Sequence, residues 1–201
     1  MVRQDPRIAM TTHLNAPKSA GVFQKLWALI VAFMRKFLGG ETIFVNRFTS
    51  PSSAEVVLAP SLSGHIIHHP LTAGRRVFVQ TGSYLASSGS VDTKIRFGGL
   101  RSLFGGEGLV LLECSGDGDL WINSYGGVVP VEINGNFIVD TGHIVAFEGE
   151  LDFSVKSVGG IKSFLFSGEG LVCEFRGQGT VYVQSRNLGA LVSWLTPLLP
   201  S

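Results

Sequence analysis

Charge and sulfur are both scarce in this chain. Lys, Arg, Asp and Glu make up 15% of its 201 residues, and the formal net charge is +1. A nucleic-acid partner calls for clustered cations that displace counterions from phosphates, so none is expected. The two cysteines, Cys114 and Cys173, both sit inside apolar runs. Without a secretory signal they read as buried free thiols of a reducing compartment. The N-terminal stretch MVRQDPRIAMTTHLNAPKSAG is mixed polar and has no apolar h-region, so no signal peptide is read and the expected localisation is cytoplasmic. The apolar stretch Leu26–Met34 falls short of the roughly 20 residues a membrane-spanning helix needs.

Catalytic punctuation is missing too. There is no G-x-S-x-G elbow, no P-loop and no C-x-x-C, so no enzyme activity and no cofactor is expected. His65-Ile66-Ile67-His68-His69-Pro70 is the densest set of metal-ligand types. Adjacent strand residues point to opposite faces, so a shared metal requires an irregular loop there. The His-x-His pair of a cupin-like site is absent. The stretch reads as a surface connection between units, with no metal. Asp140-Thr141-Gly142-His143 offers an Asp–His pair, but the equivalent stretch upstream has Gln80 and Ser83, so it reads as a turn.

What the chain does have is glycine, 26 residues, and apolar side chains, 45%. Together with many short apolar runs they point to a well-buried β structure full of tight turns. The runs repeat. Val79–Ser124 and Val139–Ser185 carry the same features in the same order. Thr81-Gly82 matches Thr141-Gly142, and Gly98-Gly99 matches Gly159-Gly160. Glu107-Gly108-Leu109-Val110 matches Glu169-Gly170-Leu171-Val172, and the expected turn Gly116-Asp117-Gly118 matches Gly177-Gln178-Gly179. A more divergent first copy runs through Gly39-Gly40-Glu41. The chain therefore reads as one domain of three units, 1–66, 67–130 and 131–201. One unit cannot bury its faces alone, whereas three around a pseudo-threefold axis can. Glu41, Glu107 and Glu169 recur because the unit recurs. They are candidate repeat-equivalent polar positions, mainly structural, as acceptors for backbone N–H groups at a strand start. Trp121 and Tyr182 match on equivalent strands, read as sheet-face aromatics or, alternatively, a sugar-stacking platform.

The first copy carries about eleven or twelve extra residues, apolar ones, which predict a helix over 22–38 ended by Gly39-Gly40. A helix apolar nearly all round needs a covering surface. Leu26, Trp27, Leu29, Ile30 and Phe33 are the candidate contacts, against the β core, a second subunit or a membrane surface.

The ordered set LGGETIFVNRFT, GSYLASSGSVDTK, LFGGEGLVLLECSGDGDLWINSYG, VDTGHIVAFE and GGIKSFLFSGEGLV resembles the bacterial relatives of the mitochondrial biogenesis family called altered inheritance of mitochondria protein twenty-four. The resemblance covers roughly Arg7 to Leu195. It implies an all-β fold related to the tryptophan RNA-binding attenuator protein: triplicated β-sandwich units of double-stranded β-helix type, here with the inserted helix and a short C-terminal helix. Against the family pattern the opening strand of unit one is missing or shortened, and 22–38 is more apolar. Mitochondrial relatives are associated with inner-membrane organisation. No catalytic residues are established for the family, so none are carried over. The expected role is a non-enzymatic scaffold or protein-interaction module, with a protein partner or a second copy and a peripheral contact with the inner membrane. The alternative is a carbohydrate-binding module.

Overall fold

The computed structural model of the chain describes residues 1–14, 44–97, 109–157 and 171–199. The segment 22–38, with Leu26, Trp27, Leu29, Ile30 and Phe33, lies outside them, as do Glu41, Glu107 and Glu169 and both Gly-Gly pairs that precede the last two. The described fold is all-β with one short C-terminal helix. Its strands are β1 (Arg3–Gln4), β2 (Ala9–Leu14), β3 (Phe44–Thr49), β4 (Val56–Val57), β5 (Ile66–Leu71) and β6 (Arg76–Gln80). They continue with β7 (Tyr84–Ser87), β8 (Ser90–Phe97), β9 (Val110–Asn123), β10 (Val128–Asp140), β11 (Ile144–Ser157) and β12 (Leu171–Gln184), before helix α1 (Leu188–Leu195).

Units two and three share one plan. In unit three, β12 is central, with β10 on one edge and β11 on the other, both antiparallel. In unit two, β9 is central, with β5 and β6 in line along one edge and β7 and β8 along the other. The match extends to irregularities. A short 3-10 turn, Thr81–Ser83 or Thr141–His143, connects the first edge to the second. The following strand then slips register once, between Tyr84 and Ala86 and between Ile144 and Ala146. Unit one pairs β1 with β4 and β2 with β3, and no described strand of it joins the larger sheet.

Two expectations need correction. Gly116-Asp117-Gly118 and Gly177-Gln178-Gly179 are not hairpin turns; they lie inside the 14-residue strands β9 and β12. Glycine is required there because the neighbouring backbone crosses closely. A Cβ on Gly116 would sit 2.0 Å from Ser90 O, and one on Gly177 2.1 Å from Glu150 O, and both residues have positive φ, +126° and +124°. The boundary expected at 130/131 also cuts through β10, which starts at Val128 after Gly126 (φ +80°) turns the chain.

Two cores result. The first is built on Leu71, Val77, Val79, Leu112, Cys114, Leu120 and Ile122 of unit two, but Val145 and Ala146 of unit three complete it. The second is built on Ile133, Ile144, Phe147, Cys173, Phe175 and Val181 of unit three, with Leu109 and Leu111 of unit two inside it and Phe78 packed against it. The exchange follows from strand periodicity: alternate residues of β6 and β9 face opposite ways, so Leu112 and Cys114 point to their own core while Leu109 and Leu111 point to the neighbour's. The seam is β6 against β11, Val77–Val79 opposite Glu148–Ala146. Across it Phe147 stacks on Phe78 with ring centroids 4.9 Å apart, and meets Phe175 and Phe153 edge-on at 4.9 and 5.1 Å. Each fully buried aromatic or branched side chain contributes roughly 1.5–3 kcal/mol.

Candidate functional site

The glutamates that the structure does bring into equivalent places are Glu113 and Glu174, residues that the repeat comparison passed over. Each sits mid-strand on a central strand, 5% and 8% exposed, and each is held by two cations. Arg96 Nε donates to Glu113 Oε2 at 2.6 Å, with Arg76 3.8 Å away. Lys156 and Arg176 both donate to Glu174, Arg176 Nη2 at 2.7 Å. Arg96 and Lys156 occupy the same place on their strands, opposite Leu111 and Val172. The Lys156 and Arg176 bonds hold the Glu174 carboxyl below its ordinary range. A buried carboxylate needs such partners, since an unpaired one would be strongly disfavoured. The signal in the sequence was a glutamate inside two otherwise apolar runs, LVLLEC and GLVCEF.

A second recurring device holds the 3-10 turns. Asn123 Nδ2 donates to Gly82 O at 3.3 Å, and Gln184 Nε2 donates to Gly142 O at 2.9 Å, from matching strand ends. Asp140 Oδ1 accepts from Gly142 N–H at 2.7 Å, and His143 Nδ1–H donates to Gln184 O at 2.7 Å. Asp140 and His143 thus serve the turn, as expected, rather than each other.

The histidine stretch differs from its expectation. It is no loop: Ile66–Leu71 is strand β5, with Pro70 tolerated because β5 is an edge strand. His68 and His69 therefore point to opposite faces. On one face His68 Nε2–H donates to Asp119 Oδ1 at 2.7 Å, and Ser88 Oγ–H to Asp119 Oδ2 at 3.2 Å. The His68 ring lies over Trp121, centroids 5.6 Å apart and planes at 29°. The His68 bond keeps the Asp119 carboxyl below the usual carboxylate range. Both hydrogen bonds converge on the carboxylate, so Asp119 stands between serine and imidazole. A nucleophilic serine needs its base on the hydroxyl itself, and here the set fastens β5 and the β7–β8 bend onto β9. On the other face, His69 Nε2 is buried 3.4 Å from Glu148 Oε2, outside hydrogen-bond geometry, while Tyr182 Oη–H donates to Glu148 Oε1 at 3.0 Å. Burial first, then the Glu148 bond and charge, push the Tyr182 phenol up to about 12.

Trp121 and Tyr182 do occupy equivalent strand positions, but neither is a bare platform: one is covered by His68 and the other tied to Glu148. Cys114 and Cys173 are free and buried, their thiols pushed up to about 12 chiefly by burial. Among the described residues no three His, Cys, Asp or Glu side chains converge to hold a metal ion. An open cleft in unit one, walled by Ile8, Phe48, Val56 and hydroxyl side chains, contains no ionisable group. No helix among the described residues is long and apolar enough to cross a membrane.

Among the described residues, a long exposed apolar feature is α1 and the residues after it. From Leu188 to Leu199 no residue is charged, and every one is exposed, with Trp194 at 65% and Leu198 at 64%. Asn187 fixes the helix start: its Oδ1 accepts from Ala190 N–H at 3.2 Å and its Nδ2 donates to Asp140 at 3.4 Å. The sequence signal was the uncharged run LGALVSWLTPLLP itself.

Comparison with known proteins adds three findings. The family model for mitochondrial biogenesis AIM24 matches residues 1–186. An uncharacterized protein of Streptococcus pyogenes serotype M6 is 31% identical over 205 residues, covering 100% of this chain and 80% of the relative. An X-ray structure of a Streptococcus pyogenes protein, solved as a structural-genomics target, superposes with a TM-score of 0.77 at 30% identity, covering 99% of this chain and 86% of that one.

Proposed function

The chain belongs to the mitochondrial biogenesis AIM24 family, and from that premise we propose that it is a non-enzymatic scaffold or interaction module whose contact surface is the C-terminal segment Leu188–Leu199. The observation that carries this reading is the exposure of Leu188, Leu191, Val192, Trp194, Leu198 and Leu199 on an element anchored at one end to unit three. An uncharged apolar patch of this kind marks a contact with another protein or a lipid surface. The polar clusters support the same reading, because their hydrogen bonds fasten strand to strand and turn to strand.

The contact we assign is peripheral, on a membrane surface, where indole side chains such as Trp194 are favoured. The test is co-sedimentation with phosphatidylethanolamine–phosphatidylglycerol vesicles, for the native chain beside a Leu191→Ser/Trp194→Ser variant checked by circular dichroism. The expected result is a vesicle-bound native chain and a free variant. If the native chain stays in the supernatant, the membrane reading fails.

A further inference from the structure

Phe78 and Ile138 hold the same place in their units, each opposite the buried glutamate of the central strand. Their surroundings differ completely. Phe78 is stacked on Phe147 of the next unit, whereas Ile138 is 62% exposed. The cause is the neighbour, not the side chain. Strand β6 has β11 along its outer edge, while β10 has no described strand along its own. The other half of the seam shows the same asymmetry. Val145 and Ala146 are fully buried in the core of unit two, but their counterparts Leu85 and Ala86 are only half-buried, on a strand paired to β9 alone. The described sheet therefore makes its unit-to-unit seam once and leaves one more copy of each half open.

No described strand of unit one supplies the missing half. In unit one the stretch between β1 and β2 is Asp5–Ile8, where Asp5 N–H bonds to Glu55 O. It is a turn: Ile8 N–H bonds to Asp5 O at 3.0 Å, and Arg7 N–H to Asp5 Oδ1 at 2.9 Å. Pro6 has no N–H to donate to a new strand.

We propose that the open edge of β10 is a docking strand for β7 of a second copy of this chain. Phe137–Val139 would lie antiparallel to Ala86–Ser88, with Ile138 opposite Ser87 as Phe78 lies opposite Phe147. The contact repeats an established seam, continues the sheet by main-chain hydrogen bonds, and covers Ile138 and Leu85 together. It is heterologous, so copies assemble head to tail.

The test mixes two single variants, Ile138→Cys and Ser87→Cys, under mild oxidation; the buried Cys114 and Cys173 serve as an unreactive background in the native control. The expected product is a disulfide-linked dimer that requires both variants. Alongside it, multi-angle light scattering reads self-association of the native chain and of Ile138→Lys, whose fold is checked by circular dichroism. A lysine on a pairing edge should raise the dissociation constant about tenfold or more. A native chain that is monomeric at every concentration overturns the proposal. So does a dimer formed equally well by Ile138→Cys alone, which would indicate symmetric pairing of two β10 edges.

Discussion

Units two and three are built from the same strand plan, the same bulge and the same glutamate clamp, yet they finish differently. Unit two spends both faces of its central sheet inside the protein: Leu112 and Cys114 face one core, Leu109 and Leu111 the other. Unit three buries Cys173 and Phe175 but leaves Val172 half-buried and Ile138 in solvent. Similar residues in equivalent places thus meet different fates according to which neighbour is beside them. Burial in a repeat protein is a property of the seam as much as of the unit.

The comparison breaks most visibly at Phe147. Its counterpart in unit two is Ser87, whose small side chain makes one hydrogen bond, to Tyr84 Oη at 2.8 Å. Phe147→Ala should cost about 3–5 kcal/mol and loosen the second core at its seam with unit two, whereas Ser87→Ala should cost about 1 kcal/mol. Chemical denaturation of both variants measures the gap; equal losses would mean that the paired seam and the unpaired edge of β7 are alike after all.

Glycine gives the next largest effect. Gly116→Ala and Gly177→Ala place a Cβ about 2 Å from a carbonyl oxygen at positive φ, and each should cost more than about 2 kcal/mol. Gly135, at φ +118° with nothing within 4 Å of its would-be Cβ, carries only the backbone cost of about 1 kcal/mol. A Gly135→Ala as damaging as the other two would show that strain, not the close crossing, sets the requirement.

The thiols sharpen the comparison through pH. Cys114 is in one core and Cys173 in the other, and both are pushed up to about 12 by burial. Only the unfolded chain can release these protons at pH 9–11, so stability is held below about pH 8.5 and falls above it. The slope is about 1.4 kcal/mol per pH unit for each thiol. Cys114→Ala and Cys173→Ala should each remove one share of that slope in alkaline melting curves.

Smallest are the clamps. Glu113→Gln and Glu174→Gln should lower Tm by similar amounts, since each loses a charge held between two cations. The Glu174 carboxyl is depressed, so its contribution is present above the ordinary carboxylate range and is lost as pH falls through its lowered value. The acid limb of a Tm-against-pH curve should flatten in Glu174→Gln.

Much of this was readable beforehand. Strand content, the equivalence of Thr81-Gly82 with Thr141-Gly142, the turn at Asp140–His143 and the burial of Cys114 and Cys173 all follow from local pattern. The Gly-x-Gly misreading has a physical source: positive φ looks the same in a sequence whether it closes a hairpin or lets a backbone cross a strand. The histidine stretch misled because Pro70 suggests a loop, and only edge position makes proline acceptable in a strand. Glu113 and Glu174 escaped because a glutamate in an apolar run announces burial but not its partners, and one of each pair, Arg96 or Lys156, lies 17 or 18 residues away on another strand.

By itself the sequence determined the period of the repeat, the alternation of apolar and polar residues that makes strands, and the uncharged C-terminal run, because these depend on neighbours a few residues apart. The tertiary structure decided which face of each strand belongs to which core, which carboxylates meet which cations, and which of two equivalent edges stays open. Those outcomes depend on strands brought together from distant parts of the chain, where a side chain's environment is set by what packs on it rather than by what precedes it.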